Sequence, residues 1–181
     1  MHDVSHRLND YDQQNQHNSN QATIAAEQFK QALSRHIVEN GQVRLIAHGQ
    51  SMFPYIQQGD TCTFSVPNPR MVKKGDILLY QDSQGKFIAH RLLMPQKDAM
   101  GRPSYLIKGD TNLKPDLTVY PEQVIGILTE QTKFRHPVRL THIFKAIWCP
   151  VVMHIPFISW CLHNYLRVRN RIRRMLRSRP L

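Results

Sequence analysis

Acidic residues are missing from the last quarter of this chain, and its cysteines are too few for a disulfide framework. The 181 residues carry a net charge of +11, but the 13 basic and 13 acidic residues of segment 1–132 cancel. The other 11 basic residues lie from Lys133 onward, where there is no Asp or Glu. The three cysteines form no Cys-x-x-Cys pair and cannot all pair internally, which is typical of a reducing compartment. The composition therefore predicts a neutral domain with a basic tail.

A long apolar run is also missing from the start of the chain. Residues 1–20 are rich in Asn, Gln, Asp and His, which predicts a disordered segment and neither a signal peptide nor a membrane anchor. The next segment, residues 21–41, ends in Asn-Gly and has apolar residues near helical spacing. We therefore expect one helix there, in which Ile24, Phe29, Leu33 and Ile37 lie near helical spacing.

Residues 42–132 show short β-type runs separated by turns. The runs are VRLIA, TCTFSV, DILLYQ, KFIAHRLL, SYLIKG and QVIGIL. Gly-Asp pairs at 59–60, 75–76 and 109–110 each lie beside an apolar run, as expected of tight turns. This pattern predicts a mainly-β domain.

The C-terminal arm, residues 133–181, begins with an apolar stretch and ends in arginines. Residues 143–162 match one membrane-spanning length, but Pro150 and Pro156 are expected to break a simple helix. Seven arginines between positions 167 and 179 then accompany a loose apolar stripe, which is typical of a helix on an anionic membrane surface. A single C-terminal span, and a charged helix packed on the domain, remain open.

The stretch HGQSMFPYIQQGD, residues 48–60, raises a question of chemistry. An isolated Ser-Met-x-Pro is as typical of a polar turn as of a nucleophile, so a base is needed from elsewhere. His90 lies inside an apolar run, where a lone histidine is more often a strand residue than a catalyst. Two carboxylates, Asp110 and Asp116, follow a later apolar run.

The order of these elements resembles the signal peptidase I superfamily of serine endopeptidases, whose fold is shared by self-cleaving SOS and phage repressors. Residues 49–54 match the nucleophile box, and residues 72–79 match the strand after it. Ala89-His90-Arg91 matches the position where bacterial enzymes have Lys-Arg and the endoplasmic-reticulum, archaeal and sporulation enzymes have His-Arg. The last conserved stretch matches residues 106–126. The resemblance covers about residues 45–128 and implies coiled β-sheets and peptide-bond hydrolysis by a serine.

Roles for three residues follow from the resemblance together with general triad chemistry. Ser51 is expected to be the nucleophile and His90 its general base, because neutral imidazole accepts a proton near pH 7. Asp116 or Asp110 is expected to orient the imidazole. We favour Asp116, since Asp110 sits in a Gly-Asp turn. A Ser–His dyad with two structural aspartates remains open.

The rest of the nucleophile box is expected to shape the site. Backbone N–H groups at Ser51 and nearby are expected to meet the oxyanion, and Gly49 to permit close approach. Met52 and Pro54 are expected to form the bend and the floor of the pocket. No cofactor is implied. No metal site is predicted either, because no Cys or His pair at ligand spacing accompanies His136, His142, His154 or His163.

The substrate implied by the resemblance is a precursor or leader peptide. Because no hydrophobic anchor precedes the matched boxes, we expect a cytoplasmic enzyme held at the inner leaflet through residues 133–181. Two other classes remain open. A self-cleaving repressor needs a helix-turn-helix and usually a lysine base. Residues 21–40 hold only one helix, and the position of the lysine is occupied by His90, so this class is less favoured. A non-catalytic module would use its arginine tail on lipid or nucleic acid, and nucleic acid is the less favoured partner.

Overall fold

The fold is mainly β, as predicted, with an N-terminal helix and a helical C-terminal arm. The computed structural model describes residues 21, 24–68, 71–116, 118–134 and 142–177, so the segment predicted to be disordered, residues 1–20, lies outside them. Helix α1 covers residues 24–40. The other elements are β1 Gln42–Ile46, β2 Thr61–Ser65, β3 Ile77–Gln81, β4 Phe87–Lys97, β5 Pro103–Lys108, a 3-10 turn Pro121–Gln123, β6 Val124–Thr132, α2 His142–His154 and α3 Pro156–Arg177.

The six strands form one antiparallel sheet in the order β1-β2-β6-β3-β4-β5. The last strand, β6, lies between β2 and β3, so the end of the β region pairs with its beginning. In the β3–β4 hairpin, Leu78 lies opposite His90. The register of β4 against β5 shifts between Leu92 and Met94, which marks a bulge just beyond the histidine.

Side chains of β3 alternate between the two faces of the sheet, and all five residues of the strand are buried. Ile77 and Leu79 belong to one core cluster, which includes Leu33 and Ile37 of α1. Leu78 and Tyr80 belong to a second cluster on the other face. The strand that faces His90 is therefore fixed from both sides.

The C-terminal arm packs on the β domain. Trp148 of α2 packs against the first core cluster, and Leu166 and Ser159 of α3 are buried. Of the two prolines expected to break a helix, Pro150 lies inside α2, whereas α3 begins at Pro156. Proline fits a first helical turn because its missing N–H has no partner there. Among the described residues, no helix is both long and apolar enough to cross a membrane.

The domain boundaries predicted at residues 41/42 and 132/133 coincide with changes of element. Gly41 separates α1 from β1, and β6 ends at Thr132. The division into residues 21–41, 42–132 and 133–181 nevertheless stays a prediction, because the packing of α1 and α2 against the sheet joins all three segments in one core.

Candidate active site

Ser51 lies in the loop between β1 and β2, residues 47–60, which we call the nucleophile loop. Backbone hydrogen bonds close this loop at its base. Ala47 N–H donates to the Asp60 carbonyl over 2.8 Å, and Gly59 N–H donates to the Ala47 carbonyl over 2.9 Å. Gly49 has a φ of +86°, a conformation that other residues rarely adopt, and a Cβ there would meet nothing within 4 Å. The glycine therefore serves the backbone turn, and the space beside it stays open. Met52 is buried in the first core cluster.

The structure brings Ser51, His90 and Asp116 together. The Ser51 Oγ lies 2.8 Å from His90 Nε2, and His90 Nδ1 lies 2.5 Å from Asp116 Oδ2. The two ring nitrogens thus contact different partners, so a proton on Nδ1 directed at the carboxylate leaves Nε2 as an acceptor for the serine hydroxyl. This is the arrangement that an activated serine requires.

Two side chains hold the Asp116 carboxylate in place. The Tyr80 hydroxyl donates to Oδ2 over 3.0 Å, and the Asn112 amide donates to Oδ1 over 3.4 Å. Burial and the neighbouring Asp116 raise the pKa of Tyr80 well above its usual range, so its hydroxyl remains a donor. Both oxygens of the carboxylate therefore have partners besides the imidazole.

Asp110 lies elsewhere, in a buried cluster behind the site. Arg91 Nε and Nη2 donate to its two oxygens over 2.8 and 2.9 Å, and the Trp148 indole donates over 2.8 Å. Burial alone would lower the pKa of Arg91, but its hydrogen bonds and charge pairing with Asp110 outweigh that effect and raise it. Because neighbouring residues of a strand point to opposite faces, β4 presents His90 to Ser51 and Asp116 and presents Arg91 to Asp110.

The turn after β5 connects the two aspartates to the nucleophile loop. Thr111 N–H donates to the Ser51 carbonyl over 2.9 Å, and the Thr111 hydroxyl donates to the same oxygen over 3.1 Å. A Cβ on Gly109 would lie 3.0 Å from His90 Nε2 and 2.9 Å from the Asn112 amide. Residue 109 must therefore be glycine for the histidine and Asn112 to keep these positions.

Sequence reasoning missed the supporting roles of Tyr80, Thr111 and Gly109. Tyr80 looked like an ordinary strand residue, and Gly109 like one of three similar turn glycines. Their contacts join segments that are far apart in sequence: Tyr80 precedes Asp116 by 36 residues and Thr111 follows Ser51 by 60. A polar aromatic side chain in an apolar strand was the one available signal, because a buried tyrosine hydroxyl usually needs a hydrogen-bond partner.

An apolar cavity of about 750 Å³ opens beside Ser51 and His90. Its walls include residues of helix α1, of the edge strand β1 and of the start of β4. Met52, for which the pocket floor is the predicted position, is one of the residues that line this cavity. The other lining residues are mainly apolar, including Phe29, Leu33, Leu45, Ile56, Phe87 and Ala89. Pro54 lies outside the cavity lining.

A polar clamp fixes the far end of the nucleophile loop. Lys133 Nζ lies 2.8 Å from Asp60 Oδ2 and also donates to the carbonyl oxygens of Pro54 and Tyr55 over 3.2 and 2.5 Å. Burial alone would raise the pKa of Asp60, but the hydrogen bonds from Lys133 and two backbone N–H groups lower it below its usual value. In the part of the chain that the structure describes, no group of three or more His, Cys, Asp or Glu side chains is placed to hold a metal ion.

Comparison with known proteins gives one partial likeness. No protein-family model matches the chain. Over 71 residues it is 37% identical to the signal peptidase complex catalytic subunit SEC11 of Eremothecium gossypii, a match that covers 39% of this chain and 42% of that protein. The chain thus matches less than half of the length of this relative. The likeness supports a relationship at the level of the signal peptidase I-type superfamily and no finer assignment.

Proposed function

We propose that this protein is a serine endopeptidase that cleaves a precursor or leader peptide, with Ser51, His90 and Asp116 as its catalytic group. The observation that carries the proposal is the contact between the Ser51 Oγ and His90 Nε2 at 2.8 Å, with Asp116 on the other ring nitrogen. The partial likeness to a signal peptidase catalytic subunit supports the same class.

The proposed reaction proceeds through an acyl-enzyme. His90 Nε2 accepts the proton of the Ser51 hydroxyl while Oγ attacks the carbonyl carbon of the substrate. The carbon–nitrogen bond then breaks, and the leaving amine takes the proton from Nε2. A water molecule next attacks the ester, gives its proton to Nε2 and releases the acid, and Ser51 regains its hydrogen. Asp116 accepts a hydrogen bond from Nδ1–H throughout, without taking the proton, and stabilises the charged imidazole.

The oxyanion is proposed to be met by backbone N–H groups at Ser51 and nearby in the nucleophile loop. The loop is rigid at both ends, because backbone bonds close its base and Lys133 holds the Pro54 and Tyr55 carbonyls. Fixed donors of this kind stabilise a developing negative charge without reorganising during the reaction. The open space at Gly49 leaves room for the substrate backbone to approach.

The substrate is proposed to bind as an extended segment in the 750 Å³ cavity. Strand β1 lies at one end of the sheet order, and Leu45, Ile46 and Ala47 line the cavity, so a peptide added along this edge would reach Ser51. The apolar walls favour apolar side chains on this part of the peptide.

Attachment to an anionic membrane surface is proposed for α3. Its exposed apolar residues, Phe157, Trp160, Val168 and Ile172, lie on the face opposite to the buried Ser159 and Leu166. Arginines follow along the same helix with no acidic residue in the arm. A helix of this composition lies in the headgroup region of an anionic bilayer.

A fluorophosphonate probe tests the proposed nucleophile without knowledge of the substrate. The full chain is expected to be labelled at Ser51, and the variants Ser51→Ala and His90→Ala are expected to lose the label and any peptide cleavage. Ser83→Ala, which removes an exposed serine from the β3–β4 hairpin, serves as the matched control. If the wild type and Ser51→Ala are labelled equally, or if neither protein is labelled, Ser51 is not an activated nucleophile. Either result would favour the non-catalytic binding module.

A further inference from the structure

A second cavity, of about 400 Å³, is also lined by Ser51. Its walls come from the nucleophile loop, from the turn after β5 and from α3, which contributes Arg167, Asn170 and Arg174. Of the described residues that line this cavity and the apolar one, Ser51 alone is common to both. A peptide long enough to occupy both cavities therefore runs directly across the serine hydroxyl.

Four contacts hold α3 against the nucleophile loop and β5, so the second cavity has a fixed wall. The Asn170 amide donates to the Gln50 side chain over 3.2 Å, and the Tyr165 ring stacks on Phe53 with centroids 5.8 Å apart. The Arg169 guanidinium lies 5.0 Å from the centroid of the Phe53 ring. Nearer the start of the helix, Lys108 Nζ donates to the buried Ser159 hydroxyl over 3.0 Å.

The two cavities differ in charge. The first is lined mainly by apolar side chains and has one exposed guanidinium, that of Arg44, whereas the smaller second cavity is lined by the two exposed guanidinium groups of Arg167 and Arg174. The two carboxylates that flank Thr111 and Asn112 in the sequence, Asp110 and Asp116, bond Arg91 and His90. The arm that carries the arginines has no acidic residue. The electrostatic potential at the rim of the second cavity is therefore positive and favours negatively charged groups of a ligand.

We propose that the substrate is a peptide with an apolar flank on one side of the cleaved bond and an acidic flank on the other, and that Arg167 and Arg174 bind the acidic flank. This inference rests on the proposed peptidase function and adds a specificity rule to it. Guanidinium groups suit the binding of an acidic flank because each can donate two parallel hydrogen bonds to a carboxylate.

The test uses three quenched peptides with an alanine- and valine-rich segment on one side of a central Ala-Ala bond. The other side carries a run of glutamate, glutamine or lysine, and each peptide is made in both orders. At low salt, the full chain is expected to cleave a glutamate peptide in one order about tenfold faster, by kcat/KM, than the glutamine peptide, because each exposed ion pair contributes modestly. The preference should fall as salt is raised.

Variants at the rim connect this preference to the two arginines. Arg167→Gln combined with Arg174→Gln is expected to remove the preference for glutamate, so that the glutamate and glutamine peptides are cleaved with equal kcat/KM. Arg173→Gln is the control, since it removes one positive charge from α3 at a residue that lines a different cavity, beside Phe53 and Lys133. A preference for glutamate that survives in the double variant would overturn the proposal.

A binding measurement separates this inference from the proposed function. Labelled peptides are titrated into the full-length Ser51→Ala protein and followed by fluorescence anisotropy. Equal binding of glutamate and glutamine peptides in both orders overturns the specificity rule, whereas failure of the fluorophosphonate label overturns the peptidase function. If the double variant loses affinity for phosphatidylglycerol vesicles but binds the glutamate peptide normally, the arginines serve the membrane and the proposal is wrong.

Discussion

Asp110 and Asp116, six residues apart, differ in what they contact. Asp116 accepts from His90, Tyr80 and Asn112, and its side chain is 18% exposed. Asp110 is 1% exposed and accepts from Arg91 and Trp148. The first arrangement suits the role proposed for Asp116, orienting an imidazole that changes charge, and the second joins the sheet to α2.

Replacing each aspartate by asparagine is expected to separate these roles. The amide introduced by Asp116→Asn would donate to Nδ1, leaving the hydrogen on Nε2 and no acceptor for the serine, so this variant should lower kcat by about 10³–10⁴-fold. Its melting temperature should stay near that of the wild type. Asp110→Asn weakens a buried pair, so it should lower the free energy of unfolding by about 3 kcal/mol.

Kinetics and thermal melts of the two variants, measured side by side on the full chain, check this pair of expectations. Asp98→Asn provides a control, because Asp98 bonds Arg102 in the exposed β4–β5 hairpin, far from the site. Equal and mild losses of kcat at positions 110 and 116 would indicate a Ser–His dyad with two structural aspartates.

Helix α3 has two faces with different partners. One face packs through Ser159 and Leu166 against the β domain, and the other leaves Phe157 and Trp160 stacked on each other at 5.3 Å and exposed. Sequence analysis left a packed helix and a membrane-bound helix as alternatives. The structure shows the packed face, and the exposed apolar face leaves attachment to a membrane as a proposal.

Flotation with phosphatidylglycerol vesicles tests the exposed face. At low salt the full chain is expected to float, because each arginine near an anionic surface contributes about 1 kcal/mol and the aromatic pair adds apolar burial. Phe157→Ser with Trp160→Ser should reduce the floating fraction several-fold, whereas Met100→Ser, an exposed apolar residue of the β4–β5 hairpin, should not.

High salt or alkaline pH should release the protein from the vesicles if α3 lies on the surface. Protein that stays with the vesicles until detergent is added would instead indicate a spanning segment. A full-length chain that ignores anionic vesicles at low salt would contradict both, and would leave α3 as a helix that only supports the nucleophile loop.

At the scale of the whole molecule, the Asp60–Lys133 pair ties the loop that carries Ser51 to the end of the last strand. The pKa of Asp60 is lower in the folded protein than its unfolded value of about 4. Its contribution to stability is therefore complete above that value and is lost as pH falls through the lower folded pKa.

Unfolding by urea across a pH series should show this dependence. Asp60→Asn is expected to reduce the free energy of unfolding by about 2 kcal/mol at pH 7, and its difference from the wild type should shrink below about pH 4. Glu39→Gln, which removes an exposed carboxylate from α1, is the control. A difference that stays constant down to pH 2 would show that the carboxylate charge is not what stabilises the loop.

The local patterns of the sequence predicted much of the fold. Alternating and apolar runs predicted strands because a half-buried or buried strand needs them, and Leu33 and Ile37 do form the packed face of α1. The order of the sheet was beyond prediction, since placing β6 between β2 and β3 depends on pairing across the whole β region. Helix boundaries were also missed: Pro150 suggested a break, yet it lies inside α2.

For the candidate site, the residues that carry recognisable chemistry were predictable and their supports were not. Ser51, His90 and Asp116 were singled out by type and order, and the structure places Ser51 and Asp116 each within hydrogen-bond distance of His90. Nothing in a single sequence shows that Tyr80 reaches Asp116 or that Gly109 faces His90, because these contacts join separate strands and turns. The catalytic roles of Ser51, His90 and Asp116 remain the proposal that the variants at these three positions test.

The neighbouring positions of His90 and Arg91 on β4 limit how this chain can change in length. Deleting or inserting one residue between Phe87 and His90 would exchange the two faces, turning a guanidinium toward Ser51 and an imidazole toward Asp110. A change of two residues would keep the faces but move the imidazole by about 7 Å along the strand. Length changes that affect β4 in relatives of this protein should therefore be confined to the hairpin ends at residues 82–86 and 98–102.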